Sequence, residues 1–352
     1  MRVARTLSFT ETVVAEVELP ALQPGDALIK VVACGLCGSD ACSWYVDQKA
    51  PAVLGHEPAG VVVDTGPGCR LEVGQRVFVH HHVSCGECHY CRRGYETNCA
   101  LFKSSRLDPG GFAEFVRVPA ENVERDTLIL PESVSFEAAT FIEPLACSVR
   151  AVDKLRLTPG DSVLMIGLGT MGLMDGAYAR SQGAGLILGS DFTAERRDLA
   201  SAPPWSFDHV FDPRDGDYAA QLREATGGRG PDHVIVGVGS LPALEQACEV
   251  VARGGSVVLF SPYAPETLGP LPLHRFYFGE LSLTCSYSCA AKETRVALEL
   301  IESGVVQVER LVSHRIPLEE VGPGILSTAK PPPRWLKAIV YPHELPPPPT
   351  GS

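Results

Sequence analysis

The sequence predicts an α/β protein in which a doubly wound parallel-sheet domain is inserted into a β-rich domain. Residues 1–150 hold short apolar runs between frequent glycines and prolines, which is typical of short strands and turns. Residues 150–290 alternate apolar runs with helical patterns, which indicates a parallel sheet with crossover helices. A further helix is predicted at 291–304, after which the β-rich texture returns.

The individual elements follow in chain order. The predicted strands of the first part are ALIKVVA, AGVVVDTG, QRVFVHHH and FAEFVRVP, and the three histidines are interpreted as a structural strand end. Those of the middle part are DSVLMIG, GLILGSD, HVFD, DHVIVGV and SVVLFS. The clearest helix places Leu244, Ala247, Cys248 and Val251 at i, i+3, i+4 and i+7, and it ends at Gly254.

Length and charge exclude several classes of protein. The 352 residues are enough for about two domains. A net charge of −12 without a Lys/Arg cluster argues against a nucleic-acid partner. The sequence has no run of 18 apolar residues and no secretory signal, so no membrane association is expected. The twelve cysteines are too dilute for a disulfide scaffold and predict a reducing location, the cytoplasm.

A glycine-rich turn follows the first apolar run of the middle part. Gly167, Gly169 and Gly172 form GLGTMG and open a helix, as in a dinucleotide-binding Rossmann fingerprint. The glycines permit the tight turn, the approach of a pyrophosphate and the packing of helix on strand, and the helix N-terminus attracts the phosphates. Asp191 ends the next strand, where an acid binds the adenosine ribose.

Asp191 also bears on the choice of cofactor. A carboxylate accepts a hydrogen bond from a ribose 2′-hydroxyl and repels a 2′-phosphate, so NAD is predicted over NADP. Arg196 and Arg197 follow closely, and either could reach a 2′-phosphate, although Arg196 could instead lie along the adenosine. NADP therefore stays open.

Four cysteines have the spacing C-x2-C-x2-C-x7-C, and four thiolates close a tetrahedron around Zn²⁺ without an open position. The predicted structural zinc site consists of Cys85, Cys88, Cys91 and Cys99. An iron–sulfur cluster and an empty reduced knuckle are the alternatives.

A second set of metal-binding residue types is dispersed along the chain. Cys37 lies in a glycine-rich bend, His56 and Glu57 follow about twenty residues later, and Glu143 lies in FIEPLA. Cysteine, histidine and carboxylate are the ligands of catalytic zinc, which keeps one position for substrate. Spacing alone leaves core or loop roles open for these residues.

Taken together, the motifs resemble the zinc-dependent medium-chain dehydrogenase/reductase family of the alcohol dehydrogenase superfamily, nearest to its sorbitol/polyol and L-threonine branch. The resemblance covers about residue 10 to about residue 342. It is carried by CGLCGSD at 34–40, GHEPAGVV at 55–62, CGECHYCRRG at 85–94, GGFAEFVRVPAENV at 110–123, EPLA at 143–146 and GLGTMG at 167–172.

The resemblance implies a domain division. A GroES-like catalytic domain would comprise 1–149 and 290–342, with a structural zinc lobe at 85–99. A Rossmann NAD-binding domain would comprise 150–289, and a Pro-rich tail 343–352.

The resemblance also implies two zinc ions per chain and a set of site residues. Cys37 would be the thiolate ligand and His56 the imidazole ligand of the catalytic zinc. Glu57 and Glu143 would supply the remaining carboxylates, and family members differ in which of them binds directly or through water. Ser39 would begin the proton relay. Gly167, Gly169, Gly172, Asp191 and Arg196 would bind the dinucleotide.

The implied reaction is hydride transfer from a secondary alcohol to NAD, giving a ketone. The expected substrate is a polyol, cyclitol, sugar or hydroxy-amino compound. The branch often has a histidine where this chain has Cys42, which argues against a plain L-threonine dehydrogenase. The alternatives are an NADPH-dependent carbonyl reductase acting on a biosynthetic intermediate and a non-catalytic dinucleotide-binding member.

One segment predicts self-association. The strand LSLTCSYSC at 281–289 resembles the edge strand through which family members pair, and an exposed edge must be covered. A homodimer or homotetramer is expected, and the sequence leaves that choice open.

Overall fold

The computed structural model describes residues 1–346, so most of the predicted Pro-rich tail lies outside the described residues. The chain divides into two compact units. The first contains Met1–Pro144, Cys289–Glu302 and the segment from Val308 onward. The second contains Leu145–Ser288 and Ser303–Gln307.

The strands and helices alternate in chain order as follows. The strands are β1 (Arg2–Ser8), β2 (Glu11–Glu16), β3 (Ala27–Gly35), β4 (Ala52–Val53), β5 (Glu57–Thr65), β6 (Arg76–Val79), β7 (Phe115–Val118), β8 (Thr127–Ile129), β9 (Ser162–Ile166), β10 (Leu186–Ser190), β11 (His209–Phe211), β12 (His233–Val236), β13 (Ser256–Leu259), β14 (Ser282–Cys285), β15 (Val312–Pro317) and β16 (Lys337–Tyr341). The helices are α1 (Ser43–Lys49), α2 (Ala100–Ser104), α3 (Ala120–Asp126), α4 (Phe136–Ala139), α5 (Ile142–Asp153), α6 (Thr170–Ser181), α7 (Ala194–Ser201), α8 (Tyr218–Ala225), α9 (Leu241–Val250), α10 (Leu273–Gly279), α11 (Ala291–Glu302) and α12 (Val321–Ala329).

The first unit is built on a seven-stranded sheet. Its order is β15-β16-β3-β5-β6-β8, with β7 also paired to β3. Apart from β15 and β16, which are parallel, the neighbouring strands are antiparallel. The buried side chains Ile29, Val31, Val77 and Phe112 form part of its core, and burial of each such side chain contributes about 1.5–3 kcal/mol. This sheet fixes the ends of β3, β5, β6 and β16 relative to one another.

The second unit is a parallel six-stranded sheet in the order β11-β10-β9-β12-β13-β14. Numbered from β9, this is the 3-2-1-4-5-6 order of a doubly wound dinucleotide-binding fold. All five residues of β9 are buried, as expected for a strand with helices on both faces. The order reverses beside β9, so the crevice at its carboxyl end is the expected ligand position.

The predicted α/β class and the doubly wound sheet are confirmed. The helix predicted at 291–304 is α11, and the apolar runs of the middle part form β9 to β13. The predicted strand at 281–289 is shorter: β14 covers Ser282–Cys285 and lies at the edge of the sheet. Among the described residues, no helix is both long and apolar enough to cross a membrane.

Candidate active site

Cys37 lies just beyond the end of β3. A short 3-10 turn, Gly38–Ala41, follows it and contains Ser39, which is half-buried. The buried Asp40 carboxylate accepts a hydrogen bond from the Cys37 backbone N–H at 3.2 Å. This bond fixes the bend, so the Cys37 thiol has a defined position at the end of the sheet.

Asp40 also contacts His56. Its Oδ1 lies 3.5 Å from His56 Nδ1. Burial lowers the pKa of His56, but the Asp40 carboxylate and the Cys37 thiol outweigh it, so the pKa lies well above its ordinary value. A metal ligand must be neutral, so metal binding at His56 would release a proton. With Asp40 at Nδ1, the Nε2 atom is the one available to a metal, as in a carboxylate–histidine–zinc arrangement.

Glu57 begins β5 and is fully buried. Its Oε2 accepts a hydrogen bond from Lys337 Nζ at 2.5 Å, while its Oε1 has no hydrogen-bond partner among residues 1–346. A Cβ at Gly35, opposite Glu57 in the β3–β5 register, would collide with this carboxylate. Glycine is therefore needed at position 35 for Glu57 to reach its place.

The ligand atoms of Cys37, His56 and Glu57 all lie within 4.8 Å of one another. Sulfur, imidazole nitrogen and carboxylate oxygen are the donors that zinc prefers, and the orphaned Glu57 Oε1 lacks the partner that a metal would supply. These residues fit a zinc ion.

Glu143 lies at the start of α5 and is buried. At the same distance limit it groups with His80 and Cys289 rather than with Cys37, His56 and Glu57. The two sets are neighbours, because Glu143 contributes to the raised pKa of Glu57, whose main cause is burial.

Cys42, which stands at the position of the branch histidine, precedes α1. Burial raises the pKa of its thiol, and Cys37 and Asp40 add to this effect. The Cys42 thiol is thus a poor proton acceptor near neutral pH and does not match a histidine in that role.

The four clustered cysteines meet in one loop of the first unit. Cys88 Sγ lies 3.5 Å and Cys85 Sγ 3.9 Å from Cys91 Sγ, and the Cys85 N–H donates to Cys99 Sγ. Zinc–sulfur bonds of about 2.3 Å in a tetrahedron put the sulfurs about 3.8 Å apart. The loop therefore fits the predicted structural zinc.

The glycine-rich turn of the second unit lies between β9 and α6. Gly167 has φ +103°, which favours glycine, and a Cβ at Gly172 would collide with the Gly167 carbonyl oxygen. Near a Cβ built at Gly169 the only heavy atom within 4 Å among the described residues is Nη1 of Arg196. The backbone at Gly169 is therefore open to a phosphate, and the three glycines fit a dinucleotide.

Asp191 follows β10 and is held by the backbone. Its Oδ2 accepts from the Leu168 N–H at 2.9 Å and its Oδ1 from the Thr193 N–H at 2.8 Å. Arg196 Nη1 lies 3.6 Å from Asp191 Oδ2, whereas Arg197 donates to the Asp191 carbonyl and pairs with Asp212. Of the two arginines, Arg196 is the one beside both the carboxylate and Gly169.

Sequence reasoning missed two features of the first unit. Lys337 reaches Glu57 from β16, 280 positions away in the chain. His80 contacts Asp126 and Cys289 in a buried cluster. Neither a lysine nor a lone histidine or cysteine carries a spacing signal at such separations, so these contacts are visible only in the tertiary structure.

Comparison with known proteins agrees with this geometry. Residues 23–128 match the family described as alcohol dehydrogenase GroES-like domain, and residues 170–303 match zinc-binding dehydrogenase. L-Threonine 3-dehydrogenase from Pyrococcus abyssi is 38% identical over 70% of this chain and 72% of its own length. L-Galactonate-5-dehydrogenase from Escherichia coli is 32% identical over 85% of this chain and 87% of its own length.

A solved structure extends the likeness to nearly the whole chain. It is a Sinorhizobium meliloti protein, described as a zinc-binding dehydrogenase and solved with bound NADP. It is 29% identical, with a TM-score of 0.86 over 97% of this chain and 99% of its own. The chain therefore belongs to the zinc-binding dehydrogenases of the alcohol dehydrogenase family.

Proposed function

We propose that this dehydrogenase oxidises a secondary alcohol to a ketone with NAD, and that Cys37, His56 and Glu57 hold its catalytic zinc. The observation that carries the proposal is the convergence of their three different donor atoms within 4.8 Å. Asp40 supports it, because the carboxylate leaves one nitrogen of His56 for the metal. Glu143 is the proposed further ligand, bound directly or through water.

The chain's own side chains have distinct tasks in this proposal. When bound, zinc would act as a Lewis acid and lower the pKa of the substrate hydroxyl. Ser39, two residues beyond Cys37, would take the hydroxyl proton and pass it to water. Lys337 would hold Glu57 in place, because it donates to one of the two carboxylate oxygens and leaves the other.

The proposed binding residues for the dinucleotide are Gly167, Gly169, Gly172, Asp191 and Arg196. NAD is favoured because two backbone hydrogen bonds hold the Asp191 carboxylate in place, and a carboxylate at this position would repel a 2′-phosphate. Arg196 is the competing feature, since rotation away from Asp191 would offer a cation to that phosphate. Because the Sinorhizobium relative was solved with bound NADP, NADP is the second cofactor to be tested.

The proposed substrate is a small polyol, cyclitol, sugar or hydroxy-amino compound. The relatives named for L-threonine and L-galactonate support this class. The absence of a histidine at Cys42 makes L-threonine itself a weaker candidate. The alternative is an NADPH-dependent carbonyl reductase.

The test measures NAD reduction with polyols, cyclitols, L-threonine and simple secondary alcohols, with and without a zinc chelator. We expect chelator-sensitive turnover that is lost in Cys37→Ser and kept in Cys69→Ser, whose half-buried thiol packs against the core of the same unit. Turnover that survives both the chelator and Cys37→Ser would refute the zinc assignment. Reduction of ketones with NADPH, without oxidation of any alcohol, would favour the reductase.

We also propose that the chain self-associates through β14, as a homodimer or homotetramer. This strand is the edge of its sheet, and nearby side chains of α10 are exposed: Leu273 by 72% and Tyr277 by 78%. The backbone N–H groups of Ser282 and Ser286 donate hydrogen bonds toward β13. Because the N–H groups of a strand alternate in direction, the N–H of Cys285 points away from the sheet. Cys285→Pro should lower the mass measured by light scattering, and an unchanged mass would exclude this edge.

A cytoplasmic location is proposed from the cysteines. All twelve are free thiols, and four of them form a zinc-type cluster. Such cysteine usage favours a reducing compartment.

A further inference from the structure

A buried cluster of polar side chains in the first unit contains Glu143, the proposed further ligand of the catalytic zinc, and three residues that have no role in the proposed reaction. His80 follows β6, Asp126 ends α3, Glu143 begins α5 and Cys289 precedes α11. His80 and Cys289 are completely buried, and Asp126 and Glu143 are at most 4% exposed. So many titratable groups are buried together only when they satisfy one another or bind an ion.

Asp126 fixes the orientation of the His80 ring. Its Oδ2 lies 2.7 Å from His80 Nδ1, and its Oδ1 accepts from the Thr294 hydroxyl at 2.7 Å. Both carboxylate oxygens are therefore acceptors, which assigns the proton of the ring to Nδ1. Asn122 holds the same residue through its backbone, since its side-chain amide donates to the His80 carbonyl. The Nε2 lone pair therefore faces away from Asp126, toward Cys289.

On this side of the ring lie the Cys289 thiol and the Glu143 carboxylate. His80 Nε2 lies 3.6 Å from Cys289 Sγ, and the ligand atoms of His80, Cys289 and Glu143 are all within 4.8 Å of one another. Zinc–nitrogen bonds of about 2.0–2.1 Å and zinc–sulfur bonds of about 2.3 Å give a tetrahedral N···S separation of about 3.6 Å. The observed separation therefore fits two ligands of one zinc ion.

We propose that His80, Cys289 and Glu143 form a third metal site, selective for Zn²⁺ and ions of similar ligand preference such as Co²⁺. A thiolate and a carboxylate would neutralise the divalent ion, so that it could be buried without net charge. Asp126 would serve as the carboxylate partner that orients a ligating histidine. The site is distinct from the four-cysteine loop, and it shares Glu143 with the proposed catalytic site.

The consequence would be structural. The three ligands are far apart in sequence: 209 positions separate His80 from Cys289, and 146 separate Glu143 from Cys289. A metal held by all three would tie the carboxyl-terminal segment of the first unit to its amino-terminal part. Because such a site does not exist in the unfolded chain, its binding free energy would add to folding.

The test is the zinc content of the whole protein, measured by mass spectrometry after removal of free metal. We expect three zinc ions per chain in the wild type and one fewer in Cys289→Ser. Cys248→Ser is the matched control, since Cys248 is a buried free cysteine of the second unit, and it should keep the wild-type content. A wild type with two ions, together with an unchanged content in Cys289→Ser, would overturn the proposal.

Two further measurements keep the outcome decisive. If Cys289→Ser does not fold, His80→Asn replaces it, and the wild-type zinc count still decides between two and three sites. Although the inference shares Glu143 with the proposed function, Cys37→Ser separates the two. Loss of one zinc in Cys37→Ser but not in Cys289→Ser would refute only the third site, whereas the converse would refute only the catalytic assignment.

Discussion

Asp175 is a carboxylic acid buried inside the dinucleotide-binding unit. It lies in α6, is completely buried, and neither carboxylate oxygen has a hydrogen-bond partner among residues 1–346. Burial is the main influence on its pKa and raises it from 3.8 to about 7. The perturbation we consider is Asp175→Asn, which keeps the shape and removes the charge.

The size of the stability change follows from the pKa of Asp175 in the unfolded chain, 3.8, and in the folded protein, about 7. Between pH 3.8 and about 7 the folded protein keeps a proton at Asp175 that the unfolded chain has released. Stability therefore falls as the pH rises through this window, by about 1.4 kcal/mol per pH unit. From pH 5 to pH 8 the wild type should lose about 3 kcal/mol at this residue, and Asp175→Asn should lose none. Relaxation around the charge makes this value an upper bound.

The assay is denaturant unfolding of both proteins at pH 5 and at pH 8. Metal loss and other titrations affect both proteins equally, so only the difference between variant and wild type is interpreted. We expect the unfolding free energy of Asp175→Asn, relative to that of the wild type, to rise by up to about 3 kcal/mol from pH 5 to pH 8. Asp198→Asn, at an exposed position of α7, should differ from wild type by less than about 0.5 kcal/mol at either pH. An Asp175→Asn difference that is equal at both pH values would refute the reasoning.

The remaining predictions concern the metal and cofactor sites. Lys337→Ala removes the cation that pairs with the buried Glu57 carboxylate and should lower stability by about 3–5 kcal/mol in thermal unfolding, whereas Lys337→Arg should recover part of this. Cys88→Ser should remove one zinc and lower the melting temperature, because the loop is closed by its thiolates; full zinc content with unchanged melting would contradict the structural site. Asp191→Ala removes the charged acceptor that we propose for the ribose, worth about 1.5–3 kcal/mol, so kcat/KM for NAD should fall about tenfold to a hundredfold; an unchanged ratio of NAD to NADP use would contradict the proposed role.

Much of the fold was predictable because its signals are local. The apolar runs that became β9 to β13 have strand length, and Gly167 to Gly172 combine a positive φ with a close approach that only glycine tolerates. The cysteine loop was equally predictable, since four ligands within fifteen residues can meet without help from the rest of the chain. The edge strand was overestimated, because its apolar character continues beyond the residues that pair with β13.

The sequence by itself determined the α/β class, the cysteine loop and the glycine turn, whose geometry depends on neighbours in the chain. Only the tertiary structure decided that Lys337 pairs with Glu57 and that Glu143 lies beside His80 and Cys289. These contacts depend on the register of β3, β5 and β16 and on how α5 and α11 pack. A one-residue shift in a strand would turn each side chain to the opposite face, and no local pattern encodes that register.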